Sequence, residues 1–173
     1  MSTSYARAPI TEAILEMRVQ DAISKADLDK VQAKTSGDYP LKEELATVQL
    51  SFEVAKASSS VKQSWQGYKL SNVDRTDFMT LQPTVFSLSR LAPYPGWNSF
   101  RTRAYEQWNQ WKRVVGTQRI IRLALRYINR IDIPIDGQET IRVEDYLSVH
   151  LRLPNFGQQP LNAFTVQARM ALD

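Results

Sequence analysis

Between Arg119 and Pro134 every second residue but one is apolar, and the charged residues fall on the intervening positions. Ile121, Leu123, Leu125, Tyr127, Asn129, Ile131 and Ile133 fall on one side of such a run. Ile120, Arg122, Ala124, Arg126, Ile128, Arg130 and Asp132 fall on the other. A period of two is the period of a β-strand, and a strand of this length must lie in a sheet. Shorter runs with the same period surround it. Ala13, Leu15, Met17 and Val19 alternate with Glu12, Ile14, Glu16 and Arg18 in Ile10–Gln20, and Val48, Leu50, Phe52 and Val54 point inward from Thr47–Val54. Trp65–Asn72, Phe78–Gln82 and Val85–Leu91 read as a meander, with turns at Val73–Thr76 and at Gln82-Pro83-Thr84, since proline cannot donate to a central ladder. Strands joined by turns this short pair antiparallel.

Two segments carry the helical period instead. Ser24 and Asp27 form a cap-like start for a helix over Lys25–Lys34, with Ile23 and Leu28 at the staple positions. Asn98–Val115 places Phe100, Ala104, Trp108, Trp111 and Val115 on one face, with Asn98 or Ser99 expected as its cap and Gly116 as its stop. Gly37–Leu45 and Ala57–Ser60 read as loops. Beyond Asp136-Gly137, a turn, come a short helix near Val143–Leu147 and a last strand, Phe164–Leu172. The expected fold class is α+β: a mainly antiparallel sheet with two main helices packed on one face, its other face open.

At 173 residues the chain has the length of one domain. Its final strand ends at Asp173 without a turn, so we expect a single α+β domain that is either the N-terminal part of a longer protein or pairs this strand with something outside it. The absence of cysteine excludes disulfides and thiolate chemistry. Charged residues break every apolar run, so no membrane partner is expected, and Met1–Ala8 has no secretory core. A cytoplasmic location is the expectation.

Charge is distributed unevenly. Residues 1–86 hold 10 Lys/Arg against 11 Asp/Glu, whereas residues 87–173 hold 12 against 7. Nine cations and one acid, Glu106, lie between Arg90 and Arg130, and eight of the nine are arginines, the side chain suited to bidentate anion recognition. Arg90, Arg101, Lys112, Arg122, Arg126 and Arg130 are the candidate anion-binding residues. Arg122, Arg126 and Arg130 leave one strand face at intervals of about 13 Å. Glu12 and Glu16 repeat with the same spacing, so the first strand, placed beside the late one, would set Glu12 and Glu16 against Arg126 and Arg130 as ion pairs. Trp108 and Trp111 belong to the helix core, while Arg101, Tyr105 and Lys112 form an exposed basic–aromatic flank. Asn129 is polar within an apolar strand face, and such a residue, if buried, needs a hydrogen-bonding partner or a ligand. Tyr94 joins Asn129, Glu12 and Glu16 as ligand-facing or structural polar candidates.

Catalytic signatures are scarce. The single histidine, His150, falls in a loop-like stretch, and Asp132 with Asp136 or Glu144 with Asp145 read as solvated acids rather than catalytic pairs. No phosphate loop, nucleophile elbow or metal-ligand spacing occurs, so no catalytic residue, metal or cofactor is assigned.

Three segments together resemble a sporadically distributed prokaryotic family of unassigned function. They are PITEAILEMR from Pro9, LAPYPGW from Leu91 and LRYINRI from Leu125. The resemblance covers roughly residues 9–150. It implies a chain that continues past Asp173 and a shared structural or binding core containing Glu12, Tyr94, Trp97, Arg126, Asn129 and Arg130, but it implies no reaction.

The leading functional expectation is a non-enzymatic binding or regulatory protein for an anion: nucleic acid, a nucleotide or an acidic protein surface. The alternatives are an enzyme acting on a phosphorylated small molecule in the open face of the sheet, and a structural subunit. Self-association would use the open sheet face or the C-terminal strand.

Overall fold

The computed structural model describes residues 8–53 and 58–133, together with 137, 145 and 146. The expected features at Asp136, Glu144, His150 and Phe164–Leu172, and most of the expected helix Val143–Leu147, lie outside the described residues. The chain divides into two compact units, Met1–Ile131 and Asp132–Asp173, and the fold described below is that of the first.

Its elements are β1 (Ile10–Val19), α1 (Lys25–Thr35), β2 (Leu41–Glu53), β3 (Ser58–Ser71), β4 (Asp77–Gln82), β5 (Val85–Leu91), α2 (Trp97–Val115) and β6 (Ile120–Asn129). The six strands form one antiparallel sheet in the order β2-β3-β4-β5-β1-β6. Local chemistry makes the meander. Pro83 and Thr84 turn the chain so that Gln82 pairs with Val85. The Asn72 side-chain oxygen accepts from the backbone of Thr76 (2.8 Å) and Asp77 (3.0 Å) and closes the β3–β4 turn. β1 then enters between β5 and β6, at the far side of the meander.

One sheet face is apolar and covered. The registers Leu15↔Leu88, Met79↔Leu88 and Leu70↔Met79 align the inward rows of β1, β5, β4 and β3. Met79, Leu81, Phe86, Leu88 and Leu70 are buried there under Leu28 and Val31 of α1 and Trp108 and Trp111 of α2. The two indoles stack at 4.6 Å between ring centres, and Trp108 meets Phe86 edge-on at 5.4 Å. α1 starts as expected, with the Ser24 hydroxyl accepting from the Asp27 N–H at 3.1 Å.

Several expectations are corrected. Gly96, at φ 92°, sits at the start of α2 with no side-chain cap, so neither Asn98 nor Ser99 caps it. β2 begins at Leu41, inside the expected loop, because Leu41 through Leu45 pair with β3; the consecutive charges Lys42, Glu43 and Glu44 hide the strand period. β3 likewise begins at Ser58, inside the expected polar loop. Val48 is 57% exposed rather than inward. β3 pairs with β4 only from Tyr68 to Ser71, so the outer part of β2–β3 is a two-stranded ribbon. β6 ends at Asn129, short of Pro134.

Candidate anion-binding site

The first strand does lie beside the late one. In the β1–β6 ladder Glu12 stands opposite Ile128, Ile14 opposite Arg126, Glu16 opposite Ala124 and Arg18 opposite Arg122. Carboxylates and guanidiniums on the face away from α1 and α2 are thus interleaved rather than opposed. Each glutamate sits half a repeat away from the arginines. The outcome is a loose set of contacts: Glu16 Oε1 is 4.0 Å from Arg122 and 3.9 Å from Arg18. The pairing expected with Arg126 does not form, and among the described residues neither Arg126 nor Glu12 has an ion pair. Arg18, which sequence reasoning passed over, joins this face because β1 carries it directly opposite Arg122.

The remaining candidates are dispersed. Arg90 projects to the helix side of β5, opposite Asp77, and donates to its carboxylate at 2.6 Å and to the Thr76 hydroxyl at 3.2 Å. It anchors the β4–β5 edge of the core. Arg103 of α2 binds Asp38 at 3.3 Å and lies over the Tyr39 ring at 5.3 Å; the buried Gln107 donates to the same carboxylate at 2.8 Å. Burial pushes the Tyr39 hydroxyl up to about 12. Arg130 follows β6, its backbone N–H donating to the Pro9 carbonyl at 2.8 Å. Asn129 is exposed and needs no internal partner. Tyr94 meets Tyr127 of β6, hydroxyl to hydroxyl at 3.2 Å, and Phe100 of α2 edge-on at 6.0 Å. Burial and that hydroxyl raise its pKa above the usual tyrosine range.

Helix phase decides what α2 offers. Arg103 and Gln107, the residues that bind Asp38 beyond the end of α1, lie on one side of its core stripe. At 100° per residue Arg101, Lys112 and Tyr105 lie on the other side, turned away from α1. α1 rests on β3 and α2 on β5, so this free flank points along the sheet toward β1 and β6. Arg101 and Tyr105 are exposed, Tyr105 by 64%. Among the described residues Arg101, Tyr105 and Lys112 take no ion pair or side-chain hydrogen bond.

Below that flank lies a feature the sequence did not disclose. The helix-side row of β6 is the apolar face read from the sequence, yet Ile121, Leu123 and Leu125 are 56%, 66% and 44% exposed. The reason is width. A helix about 10 Å across covers about two strands spaced about 4.8 Å apart, so α1 and α2 cover about four of the six strands, and neither lies over β6. α2 and β6 therefore meet in a corner with an aliphatic floor and a cationic wall, closed at one end by the Tyr94–Tyr127 contact. The signal available in sequence was the count of two helices against the number of strands.

Among the described residues there is no cluster of three or more metal-ligating side chains, and no described helix is long and apolar enough to cross a membrane. No family model, no curated protein and no solved structure matches the chain.

Proposed function

We propose that the chain is a cytoplasmic, non-enzymatic binding module for an anionic partner, and a member of the prokaryotic family that its three segments resemble. The observation that carries this reading is the free flank of α2. Arg101 and Lys112 flank an exposed tyrosine there, with no carboxylate among the described residues to neutralise them. Arg90 and Arg103 already have acidic partners and stay outside the proposed surface. Arg122 and Arg126 belong to the opposite sheet face and supply a second basic row there.

The test is fluorescence anisotropy with two labelled probes, a single-stranded oligonucleotide and polyglutamate, each titrated across a salt series. Released counterions make such binding salt-dependent, by about 0.7 in log–log slope per phosphate on a single strand. Replacing Arg101 and Lys112 together with alanine should weaken binding at least tenfold and flatten the slope by about 1.4 on the oligonucleotide. Lys30→Ala, on α1, should change nothing. The reading fails if neither probe binds with salt dependence, or if the double variant binds like the wild type.

A further inference from the structure

The corner between α2 and β6 has two chemistries that meet along one line. Its floor is the aliphatic row Ile121, Leu123 and Leu125, exposed over three successive inward positions of an edge strand. Its wall is the flank of α2 with Arg101, Tyr105 and Lys112. A row of exposed apolar side chains of this size on a sheet face normally has a layer over it. The other edge of the sheet is different: β2 presents Lys42, Glu43 and Glu44 in succession, and its ladder with β3 is interrupted between Leu45 and Ala46, where β3 carries the extra residue Gln66, features that leave an edge solvated.

We propose that this corner is the docking site for one amphipathic α-helix of a partner protein, whose apolar stripe covers β6 and whose acidic flank faces Arg101 and Lys112. The proposal rests on the anion-binding reading above and names its partner class. Three arguments select this occupant. The bare strip beside α2 is the single edge strand β6, so one helix laid against α2 covers it and a second would overhang the edge of the sheet. The floor is aliphatic, which suits leucine-type side chains; nucleic-acid bases stack on aromatic rings, and the floor offers them none before Tyr127. The wall is positive along the side where the docked helix must lie against α2, so acidic residues on that flank are attracted and lysines are repelled. A helix of about 18 residues, some 27 Å long, matches the roughly 33 Å of a ten-residue strand.

The experiment uses the full chain and three labelled probes. The first is an 18-residue designed helix with leucine on one face and glutamate on the rest. The second is its counterpart with lysine in place of glutamate, and the third is a single-stranded oligonucleotide. Leu125→Ser and Leu123→Ser test the floor, and Arg101→Glu tests the wall. Both leucines are exposed, so the variants should fold, which thermal unfolding followed by circular dichroism checks. The acidic helix should bind at least tenfold tighter than the lysine helix, and each variant should weaken it at least tenfold. The serine variants should leave any oligonucleotide binding unchanged.

The proposal is overturned if the acidic helix binds no better than the lysine helix or binds the serine variants equally well. It is also overturned if the serine variants weaken oligonucleotide binding as much, which would make the floor a nucleic-acid surface. Wild-type self-association in sedimentation that Leu125→Ser abolishes would overturn it too, by making a second copy the occupant. Salt-dependent binding that needs Arg101 and Lys112 but not Leu125 would sink the helix and keep the anion reading. Leu125-dependent binding without salt dependence would sink both the anion reading and the acidic flank.

Discussion

Glu16 and Arg122 stand two residues out of register across β1 and β6, and their closest charged atoms are 4.0 Å apart. The same carboxylate is 3.9 Å from Arg18, which lies directly opposite Arg122. One glutamate thus separates two arginines that would otherwise face each other as like charges. Both guanidiniums are about half exposed, and ion pairs of this length to such groups are worth at most about 1 kcal/mol each. Glu16→Gln should therefore cost little at high salt and more at low salt, where the unshielded Arg18–Arg122 repulsion is felt. Urea denaturation at low and high ionic strength reads the difference. A variant whose stability is independent of salt would show that Glu16 does not serve as the screen.

The indole stack under α2 is where the fold is most exposed to truncation. Trp108→Ala removes the ring that packs on both Phe86 and Trp111 and should cost about 3–5 kcal/mol, a large share of a domain's stability. Lys112→Ala, one residue beyond Trp111 but off the core stripe, should leave the melting temperature within the scatter of a surface change. Equal shifts in the two variants would contradict the helix phase on which the free flank depends.

What sequence could tell about this fold was set by how local the cause was. Val85–Leu91 and its preceding Pro83 turn were legible to the residue, because alternation and a missing N–H act over a few positions. The stripe of α2 was legible for the same reason, as was the Ser24 cap. The start of β2 was not: Lys42, Glu43 and Glu44 are solvated on an edge strand, so no apolar period marks them. At the candidate site, the identity of neighbouring strands followed from complementary charge spacing, and β1 does lie against β6. The half-repeat offset that leaves Arg126 without Glu16 followed from register, which charge spacing cannot set. The exposure of Leu123 and Leu125 depends on which element lies above them, a fact about helix count and placement rather than about the strand. Arg90 was grouped with the free cations because its partner Asp77 comes from the neighbouring strand of a hairpin, on a face that only the register reveals.

Gly67 predicts a second fragile point, in the backbone. It sits at φ 144° where β3 leaves its bulge against Leu45 and Ala46, and a Cβ built there would run into the Leu81 carbonyl oxygen of β4. Both the conformation and the close approach need glycine. Gly67→Ala should cost about 2–4 kcal/mol from strain and displacement of β4. Gly37→Ala, with open space around it, should be nearly neutral. Thermal unfolding of the pair gives the comparison, and a Gly67→Ala melt equal to that of Gly37→Ala would remove this account of the β3–β4 contact.

Tyr39 provides the pH prediction. Its side chain is fully buried beneath Arg103, and burial holds its hydroxyl proton up to about 12 against an ordinary value of 10.0. In the unfolded chain the phenol ionises near its ordinary value. Between the two pH values the unfolded state therefore binds fewer protons than the folded state, and stability falls as pH rises. The contribution is intact below pH 10, declines through the interval and is fully lost near pH 12. By linkage its size is on the order of 2–3 kcal/mol. Tyr39→Phe keeps the ring and removes the titrating group, so its stability should fall less steeply over the same range. Part of the slope should remain, because Tyr94 is also raised by burial and by the Tyr127 hydroxyl. Guanidinium unfolding of the two proteins between pH 9 and pH 12 measures both slopes. Identical slopes would mean that Tyr39 ionises as freely in the folded protein as in the unfolded one, contrary to its burial under α2.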